Sequence, residues 1–325
     1  MMNVAKHIAP QHAPSVLQVK QTTNVIDSRF TLATIAGTGT ATITAGGTVI
    51  NFSTAQNAKF RECRITINGQ SRFITTFNSS TQANIDTAFN SEGAWVTGTT
   101  SVAFTWVVVT QFSGQTGDNG TVLLNNNGAA RSPYLAFRNN KVCCKFWADA
   151  VNANKYFNYT GAGGDPFASN NTVGYSMVFD VEILGLGLQY SISPVHMGRG
   201  NFWQYMGIYD SSKSAKSASF FGNTTASNLT SYAILGNTNI VNPTKQAYSI
   251  AQNGNKLIFD NFQRTKSIES RAYLTYDGVP SSIMGHRNNG TGHSESYLYA
   301  YWGFSAPLPE KTLERLLERI KLNKY

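Results

Sequence analysis

Residues 102–112 read VAFTWVVVTQF, and within them residues 106–109 form a continuous apolar run. Neighbouring side chains in a strand point to opposite sides, so such a run is typical of a strand covered on both faces. The sequence therefore predicts a strand in the middle of a sheet. Around this segment Ser, Thr, Asn, Gly and aromatic residues are abundant, which favours strands and turns over helices.

Tight hairpins are predicted on either side of this strand. Gly46-Gly47, Asn68-Gly69 and Asn139-Asn140 each separate two alternating runs, and these residue types adopt the positive φ of a two-residue turn at low cost. More than twelve strands are predicted in all, with no long helix between them. This pattern indicates an all-β fold, an antiparallel β-sandwich or jelly roll.

Two helices are predicted. Pro309 and Glu310 suit a helix start, and the apolar residues that follow recur at i, i+3, i+4 and i+7, so residues 309–323 should form an amphipathic helix packed on the sandwich. A shorter helix is expected over residues 80–89, capped by Ser80.

The chain divides into three predicted parts. Residues 1–20 contain Pro10 and Pro14 and have no periodic pattern, so we expect an extended N-terminal arm that orders against a partner. Residues 21–80 should form a β-hairpin segment joined to or preceding the sandwich, and residues 81–325 the jelly-roll domain with its terminal helix.

The composition limits the function classes. The 325-residue chain is 41% hydrophobic and 13% charged, which argues against intrinsic disorder. Its net charge of +9 is scattered along the sequence, so nucleic acid is not an expected partner. Residues 1–17 have no apolar core of a signal peptide and no segment resembles a membrane span, so we expect synthesis in a cytoplasm without membrane insertion.

No cofactor or metal is expected. Cys143 and Cys144 are adjacent and should point to opposite faces of a strand, while Cys63 lies in a separate hairpin, so a disulfide framework is not predicted. No Cys/His spacing matches a zinc site.

The C-terminal part resembles a known module. Residues 281–285 (SSIMG), a polar loop, residues 297–305, the turn at 307–310 and the helix ending NKY resemble the end of a laminin G-like module, a concanavalin A-like jelly roll. The resemblance covers residues 89–325 and implies a jelly-roll fold. That fold hosts lectins, glycosidases, adhesion modules and structural domains, and this chain has no match to the calcium ligands of the family, which leaves calcium binding undecided.

One pair of acids could serve catalysis. Asp180 and Glu182 lie at i and i+2 in a predicted strand and so share a face. Glucanases of this fold carry the pattern Glu-x-Asp-x-x-Glu, whereas Val178 and Ile183 occupy the flanking positions here. We therefore expect no catalytic residues and a solvated strand face at this pair.

A glycan site is the other candidate. Sugar sites combine a flat aromatic face with a few polar donors. His196 and Arg199 lie in a predicted Gly-rich loop, and Trp203 and Tyr205 follow it. Alternation places Trp203 and Tyr205 on one face of the next strand.

Three functions remain open. Jelly rolls without signal peptide or disulfides, preceded by a Pro-bearing arm, resemble modules of tailed bacteriophage particles. The first hypothesis is thus a non-enzymatic virion surface protein, a capsid decoration or tail component made in the bacterial host cytoplasm, with other virion proteins and copies of itself as partners. The alternative is an adhesin or lectin that binds a bacterial surface polysaccharide, and the third is a glycosidase of the same fold.

Overall fold

The computed structural model describes the core strands, their register and the terminal helix. The described residues are 15–18, 30–90, 99–113, 122–124, 129, 132–147, 157–159, 175–183, 192–199, 202–209, 217–223, 229–233, 244–253, 256–261, 265–268, 282–283, 296–304 and 309–322.

These residues form 23 β-strands and one α-helix. The strands are β1 (Ser15–Gln18), β2 (Phe30–Ala36), β3 (Ala41–Thr44), β4 (Val49–Phe52), β5 (Arg64–Ile67), β6 (Gln70–Ser79), β7 (Gln82–Ile85), β8 (Thr99–Val102), β9 (Phe104–Ser113), β10 (Val122–Leu124), β11 (Tyr134–Arg138), β12 (Lys141–Phe146), β13 (Phe157–Tyr159), β14 (Tyr175–Ile183), β15 (Ile192–Arg199), β16 (Phe202–Tyr209), β17 (Ser217–Asn223), β18 (Leu229–Ala233), β19 (Thr244–Asn253), β20 (Lys256–Asn261), β21 (Thr265–Ile268), β22 (Ser282–Ile283) and β23 (Ser296–Phe304). The helix is α1 (Glu310–Lys321), and Ala58–Phe60 form a short 3-10 turn.

All the strand pairs are antiparallel. Apart from β1 and β5, the strands follow three ladders, called the first, second and third sheets below; the β9–β11 pair joins the first to the second, and β5 joins the second to the third. The first runs β11-β12-β23-β14-β19-β20-β21. The second runs β2-β9-β10-β13-β22-β15-β16-β17-β18. The third is small, with the order β8-β3-β4-β7-β6. The chain is thus an all-β antiparallel sandwich with a C-terminal helix, as the sequence predicts.

Strand β9 lies at the centre, as predicted. It pairs with β2 on one side and with β5, β11 and β10 in turn on the other. Trp106, Val107, Val108 and Val109 are all buried. Trp106 stacks on Phe60 with ring centroids 4.0 Å apart, and Tyr134 stacks on Trp147 at 4.2 Å. These rings anchor the core between β9 and the third sheet.

The predicted hairpins are confirmed. The turns at 46–47, 68–69 and 139–140 join β3 to β4, β5 to β6 and β11 to β12. Asn68, Gly69, Asn139 and Asn140 have positive φ, which is the conformation that two-residue hairpin turns require. The connection between β3 and β4 is longer, residues 45–48, and in it Gly46 has positive φ whereas Gly47 does not.

The short helix expected at residues 80–89 is wrong. Residues 82–85 form β7 between β4 and β6. Ala83 and Ile85 are buried while Gln82 and Asn84 are half-buried, an alternation of period two. Two neighbouring strands supply hydrogen bonds on both sides, and this tertiary pairing overrides a weak helical pattern.

The expected N-terminal arm is in part a strand of the domain. Ser15–Gln18 pair with Gly303–Ala300 of β23, whereas the rest of residues 1–20 lies outside the described residues. On the same side of β23, β12 reaches only Ser296–Leu298. Strand β1 therefore supplies partners to backbone groups that would otherwise form an open edge.

The terminal helix is confirmed. It contacts β14, β19 and β20. Glu314, Arg315, Glu318 and Arg319 are exposed and Leu316 is half-buried, as its amphipathic pattern predicts. Among the described residues no helix is long and apolar enough to cross a membrane.

Candidate functional site

The four predicted glycan-site residues lie on the β15–β16 hairpin. His196 is opposite Tyr205, Gly198 is opposite Trp203, and Arg199 is opposite Phe202. Directly opposed residues share a face, and residues two apart in a strand share a face too. His196, Trp203 and Tyr205 therefore occupy one face of the hairpin, whereas Arg199 occupies the other.

This placement corrects the sequence analysis in two ways. His196 belongs to a strand, because residues 195–199 pair with residues 202–206 of β16 and extend the ladder; it does not lie in a Gly-rich loop. Arg199 lies three positions from His196 along β15, and its partner Phe202 lies one position from Trp203, so Arg199 is on the other face from the remaining candidates.

The same face continues across the neighbouring strands. His196 is opposite Ser282 of β22, Tyr205 is opposite Phe221 of β17, and Phe221 is opposite Ser231 of β18. We call the five-residue row Ser282, His196, Tyr205, Phe221 and Ser231, together with Trp203, the aromatic row.

The opposite face of these strands is mixed. Five of its register positions, one from each strand, hold Ile283, Val195, Met206, Phe220 and Tyr232, and further positions on β15 and β16 hold Arg199 and Gln204. The aromatic row is thus defined by strand register alone.

A buried ionic cluster lies in the first sheet. Arg138 at the end of β11 donates from Nη1 to Glu62 Oε1 at 2.6 Å, from Nη2 to Glu182 Oε1 at 2.7 Å and from Nε to Glu182 Oε2 at 3.0 Å. Tyr297 Oη donates to Glu62 Oε2 and Tyr299 Oη to Glu182 Oε2, each at 2.5 Å. We call these five residues, with Asn139, the Arg138 cluster.

No sequence pattern points to Glu62 as a member of this cluster. It has a φ of 70°, which is rare for a residue other than glycine. Its backbone N–H donates to Ile74 O, and its carbonyl accepts from Phe137 N. These bonds fix the unusual conformation, which turns the Glu62 carboxylate toward Arg138. Contacts between residues so distant in sequence leave no local pattern.

The electrostatics of the cluster favour the charged form of Glu182. Burial alone would raise the pKa of Glu182, but hydrogen bonds from Arg138 and Tyr299 and the charge of Arg138 together hold it below its ordinary value. The hydrogen bond to Glu182 raises the pKa of Arg138. Burial raises the pKa of Tyr299. The acid is thus ionised and its donors stay protonated at neutral pH.

Asp180 and Glu182 do not form a solvated strand face, and that expectation is wrong. Both are buried, and β14 lies between β19 and β23 in the middle of the sheet. Four donor atoms occupy the Glu182 carboxylate, namely Arg138 Nε, Arg138 Nη2, Asn139 Nδ2 and Tyr299 Oη. A saturated, ionised carboxylate can neither donate a proton nor reach a substrate easily, so the geometry favours a structural role.

The cysteines form no disulfide. Cys63, Cys143 and Cys144 are all free and buried, as small apolar side chains usually are. Burial raises the pKa of the Cys143 and Cys144 thiols. Within the described part of the chain, no group of three or more His, Cys, Asp or Glu residues is placed to hold a metal ion.

Comparison with known proteins gives distant structural similarity only. The sequence matches no protein-family model and no curated protein. The chain is similar to the binding domain of Paraclostridial Mosquitocidal Protein 1, with a TM-score of 0.48 and 11% identity over 63% of this chain and 49% of that chain.

Two further solved structures are similar to a comparable degree. An arabinofuranosidase complexed with arabinofuranosyl-alpha-1,2-xylobiose has a TM-score of 0.47 and 11% identity over 88% of this chain and 62% of that chain. A structure described as a receptor binding domain has a TM-score of 0.42 and 9% identity over 98% and 53%. The chain thus spans about half the length of the first and last of these proteins. At these TM-scores the similarities carry no argument about function, and the fold class rests on the strands of this chain.

Proposed function

We propose that this protein is a non-enzymatic carbohydrate-binding protein and that the aromatic row is its binding surface. One observation carries the proposal: the strand register brings His196, Trp203, Tyr205 and Phe221 together on one face of β15, β16 and β17. Flat aromatic rings next to a few polar groups are the usual composition of a sugar site.

The neighbouring positions support this proposal. Gly198 is opposite Trp203 on the same face, and Ser282 and Ser231 lie on the strands that flank the aromatic residues. Small residues beside aromatic ones leave room for a ring to stack, and hydroxyl groups can both donate to and accept from sugar hydroxyls.

The alternative of a glycosidase receives no support from the Arg138 cluster. A glycosidase needs one carboxyl group that donates a proton and another that attacks or activates water. Glu182 is ionised and saturated by four donors, and Glu62 accepts from Arg138 and Tyr297. We therefore propose that this cluster stabilises the fold.

A glycan array of bacterial surface polysaccharides tests the proposal. The native chain is expected to bind at least one polysaccharide, and Trp203→Ala to weaken that binding about tenfold or more, as loss of a central aromatic contact does. Gln204→Ala is the matched control, because Gln204 lies between Trp203 and Tyr205 on the other face. Equal loss in both variants, or no binding by the native chain, contradicts the proposal.

We propose further that the protein works on the surface of a tailed bacteriophage particle. The proposal rests on the sequence features described above, and a particle-bound adhesin would combine it with sugar binding. Fractionation of purified particles tests it: the chain should copurify with infectious particles through a density gradient. Its absence from those fractions would reject the virion role and leave sugar binding untouched.

A further inference from the structure

We infer that the outer face of the third sheet is a second carbohydrate site, which binds neutral sugars through hydrogen bonds. This site goes beyond the proposed function, because it lies on other strands than the aromatic row and uses another kind of contact. Three observations support the inference: an ordered network of amide side chains, their exposure, and the lack of charge around them.

The site consists of five polar residues from three neighbouring strands. Asn51 of β4 is opposite Gln82 of β7, and Asn84 of β7 is opposite Thr76 of β6. Asn78 lies at a register shift of β6. We call these five residues the amide surface. It spans two strand spacings, about 10 Å, which is enough for a short saccharide.

Hydrogen bonds hold these side chains in place. Gln82 Nε2 donates to Asn51 Oδ1 and Asn84 Nδ2 donates to Thr76 Oγ1, each at 2.9 Å. Asn78 and Asn84 each donate from Nδ2 to the Oδ1 of the other at 3.1 Å. Asn78 Nδ2 also donates to Gln82 Oε1 at 3.1 Å. A ligand would therefore meet polar groups that are already ordered, which lowers the entropy cost of binding.

The amide surface is open to solvent. Asn51, Thr76 and Asn78 are exposed, whereas Gln82 and Asn84 are half-buried. The alternate residues of β4 and β7 are buried in the core, namely Ile50, Phe52, Ala83 and Ile85. Asn51 accepts from Gln82 through Oδ1, so both hydrogens of its Nδ2 remain for a ligand. Thr76 accepts from Asn84 through Oγ1, so its hydroxyl hydrogen remains as well.

The composition of the third sheet selects the class of ligand. Its strands contain one charged residue, Arg72, and the Arg72 guanidinium lies over the ring of Phe89, a core residue. An anionic glycan or a nucleic acid needs Lys or Arg on the binding face. Protein interfaces are enriched in aromatic residues, Met and Arg, and the amide surface has none of these. Amides and hydroxyls that donate and accept suit a neutral sugar, whose hydroxyls do the same.

Biolayer interferometry on immobilised dextran, mannan and galactan tests the ligand class. The native chain should bind at least one of these neutral polysaccharides, with the same affinity at about 0.05 and 0.5 M salt, because screening weakens only charged contacts. No binding to any of the three, or binding that is lost at high salt, overturns the inference. The proposed function is tested separately, on the bacterial polysaccharides of the array.

Two variants that keep the shape of a side chain test the site. Asn51→Asp still accepts from Gln82 but lacks the two free hydrogens, and Thr76→Val lacks the hydroxyl. Each should weaken binding to the polysaccharide about three- to tenfold, as loss of one hydrogen bond does. Thr34→Val is the matched control, because Thr34 is equally exposed but lies on β2 of the second sheet. Native affinity in both site variants, or an equal loss in Thr34→Val, overturns the inference.

A double variant separates this site from the aromatic row. Trp203→Ala leaves the amide surface unchanged, so binding to the neutral polysaccharide should persist in it and should weaken further when Asn51→Asp is added. If Trp203→Ala alone abolishes binding and Asn51→Asp has no effect, the inference is overturned and the aromatic row keeps its support. If light scattering shows a dimer of the native chain that Thr76→Val dissociates, the amide surface binds a second copy and the inference is also overturned.

Discussion

Arg138 holds Glu182 with two nitrogens of one guanidinium group: Nη2 lies 2.7 Å from Oε1 and Nε lies 3.0 Å from Oε2. The third nitrogen, Nη1, lies 2.6 Å from Glu62 Oε1. The planar guanidinium donates in a fixed geometry that matches a carboxylate. One side chain thereby joins β11, β14 and the segment before β5.

Removing this guanidinium should destabilise the fold strongly. Arg138→Ala leaves two buried carboxylates without their main partner, and breaking a buried ion pair from one side typically costs about 3–5 kcal/mol. The free energy of unfolding, measured by urea denaturation, is expected to fall by that amount.

Arg61 supplies the matched control. Its side chain is 58% exposed and lies 3.9 Å from Glu62 Oε1, so Arg61→Ala should change the free energy of unfolding by less than about 1 kcal/mol. If Arg138→Ala and Arg61→Ala lowered the free energy of unfolding by similar amounts, the stabilising role of the Arg138 cluster would be contradicted.

The lowered pKa of Glu182 predicts that the stability of the folded chain depends on pH. Its pKa is lower in the folded chain than in the unfolded chain, so protonation favours unfolding. The stabilisation that the charged Glu182 gives the folded chain is complete above the ordinary glutamate pKa of about 4.3. This stabilisation is lost as the pH falls through the lower pKa that Glu182 has in the folded chain. Native protein should therefore melt well above Glu182→Gln at pH 7, and the gap should narrow below about pH 4.

Melting curves of both proteins at pH 7, 5, 4 and 3 measure that gap. A gap of constant size over this range would mean that the charge of Glu182 contributes nothing and that only its shape matters. The exposed acid Glu314 provides the control, since removal of an exposed charge in Glu314→Gln should change the melting temperature little at pH 7.

Gly37 should tolerate no side chain. A Cβ at this position would lie 2.0 Å from Phe104 Cε2. Phe104 is buried against Phe52 and Trp106 and has no room to move, so Gly37→Ala should cost about 1–3 kcal/mol or more.

Gly46→Asn is the contrasting variant. A Cβ at Gly46 meets nothing within 4 Å, and φ is +75°, a conformation that Asn adopts more readily than other side chains. Its cost should stay below about 1 kcal/mol. A larger effect at Gly46 than at Gly37 in urea denaturation would contradict the packing around Phe104.

The three cysteines should be unreactive in the folded protein. All are free and buried, and burial raises the pKa of Cys143 and Cys144, so little thiolate forms. A thiol reagent such as DTNB should label none of them in the native state and all three in urea without reductant. Fast labelling of the folded chain, or fewer than three thiols after unfolding, would contradict this arrangement.

Much of the fold follows from local sequence patterns. Three of these patterns each involve no more than about ten neighbouring residues, and the structure confirms all three. They are the apolar run at residues 106–109, turn pairs such as Asn139-Asn140, and the repeat of Leu and Ile in α1. Residues 80–89 were assigned wrongly because their strand exists only through pairing with β4 and β6. The shared face of Trp203 and Tyr205 could also be predicted from the sequence, because side chains alternate between the two faces of any strand.

The fold class, most of the turns, the terminal helix and the shared face of Trp203 and Tyr205 could be predicted from local patterns. Three features could not: the meeting of Glu62 and Glu182 at Arg138, the burial of Asp180, and the position of Phe221 in the aromatic row. The reason is physical: backbone conformation and side-chain period depend on near neighbours, whereas ion pairs and cross-strand rows depend on which distant strands pair.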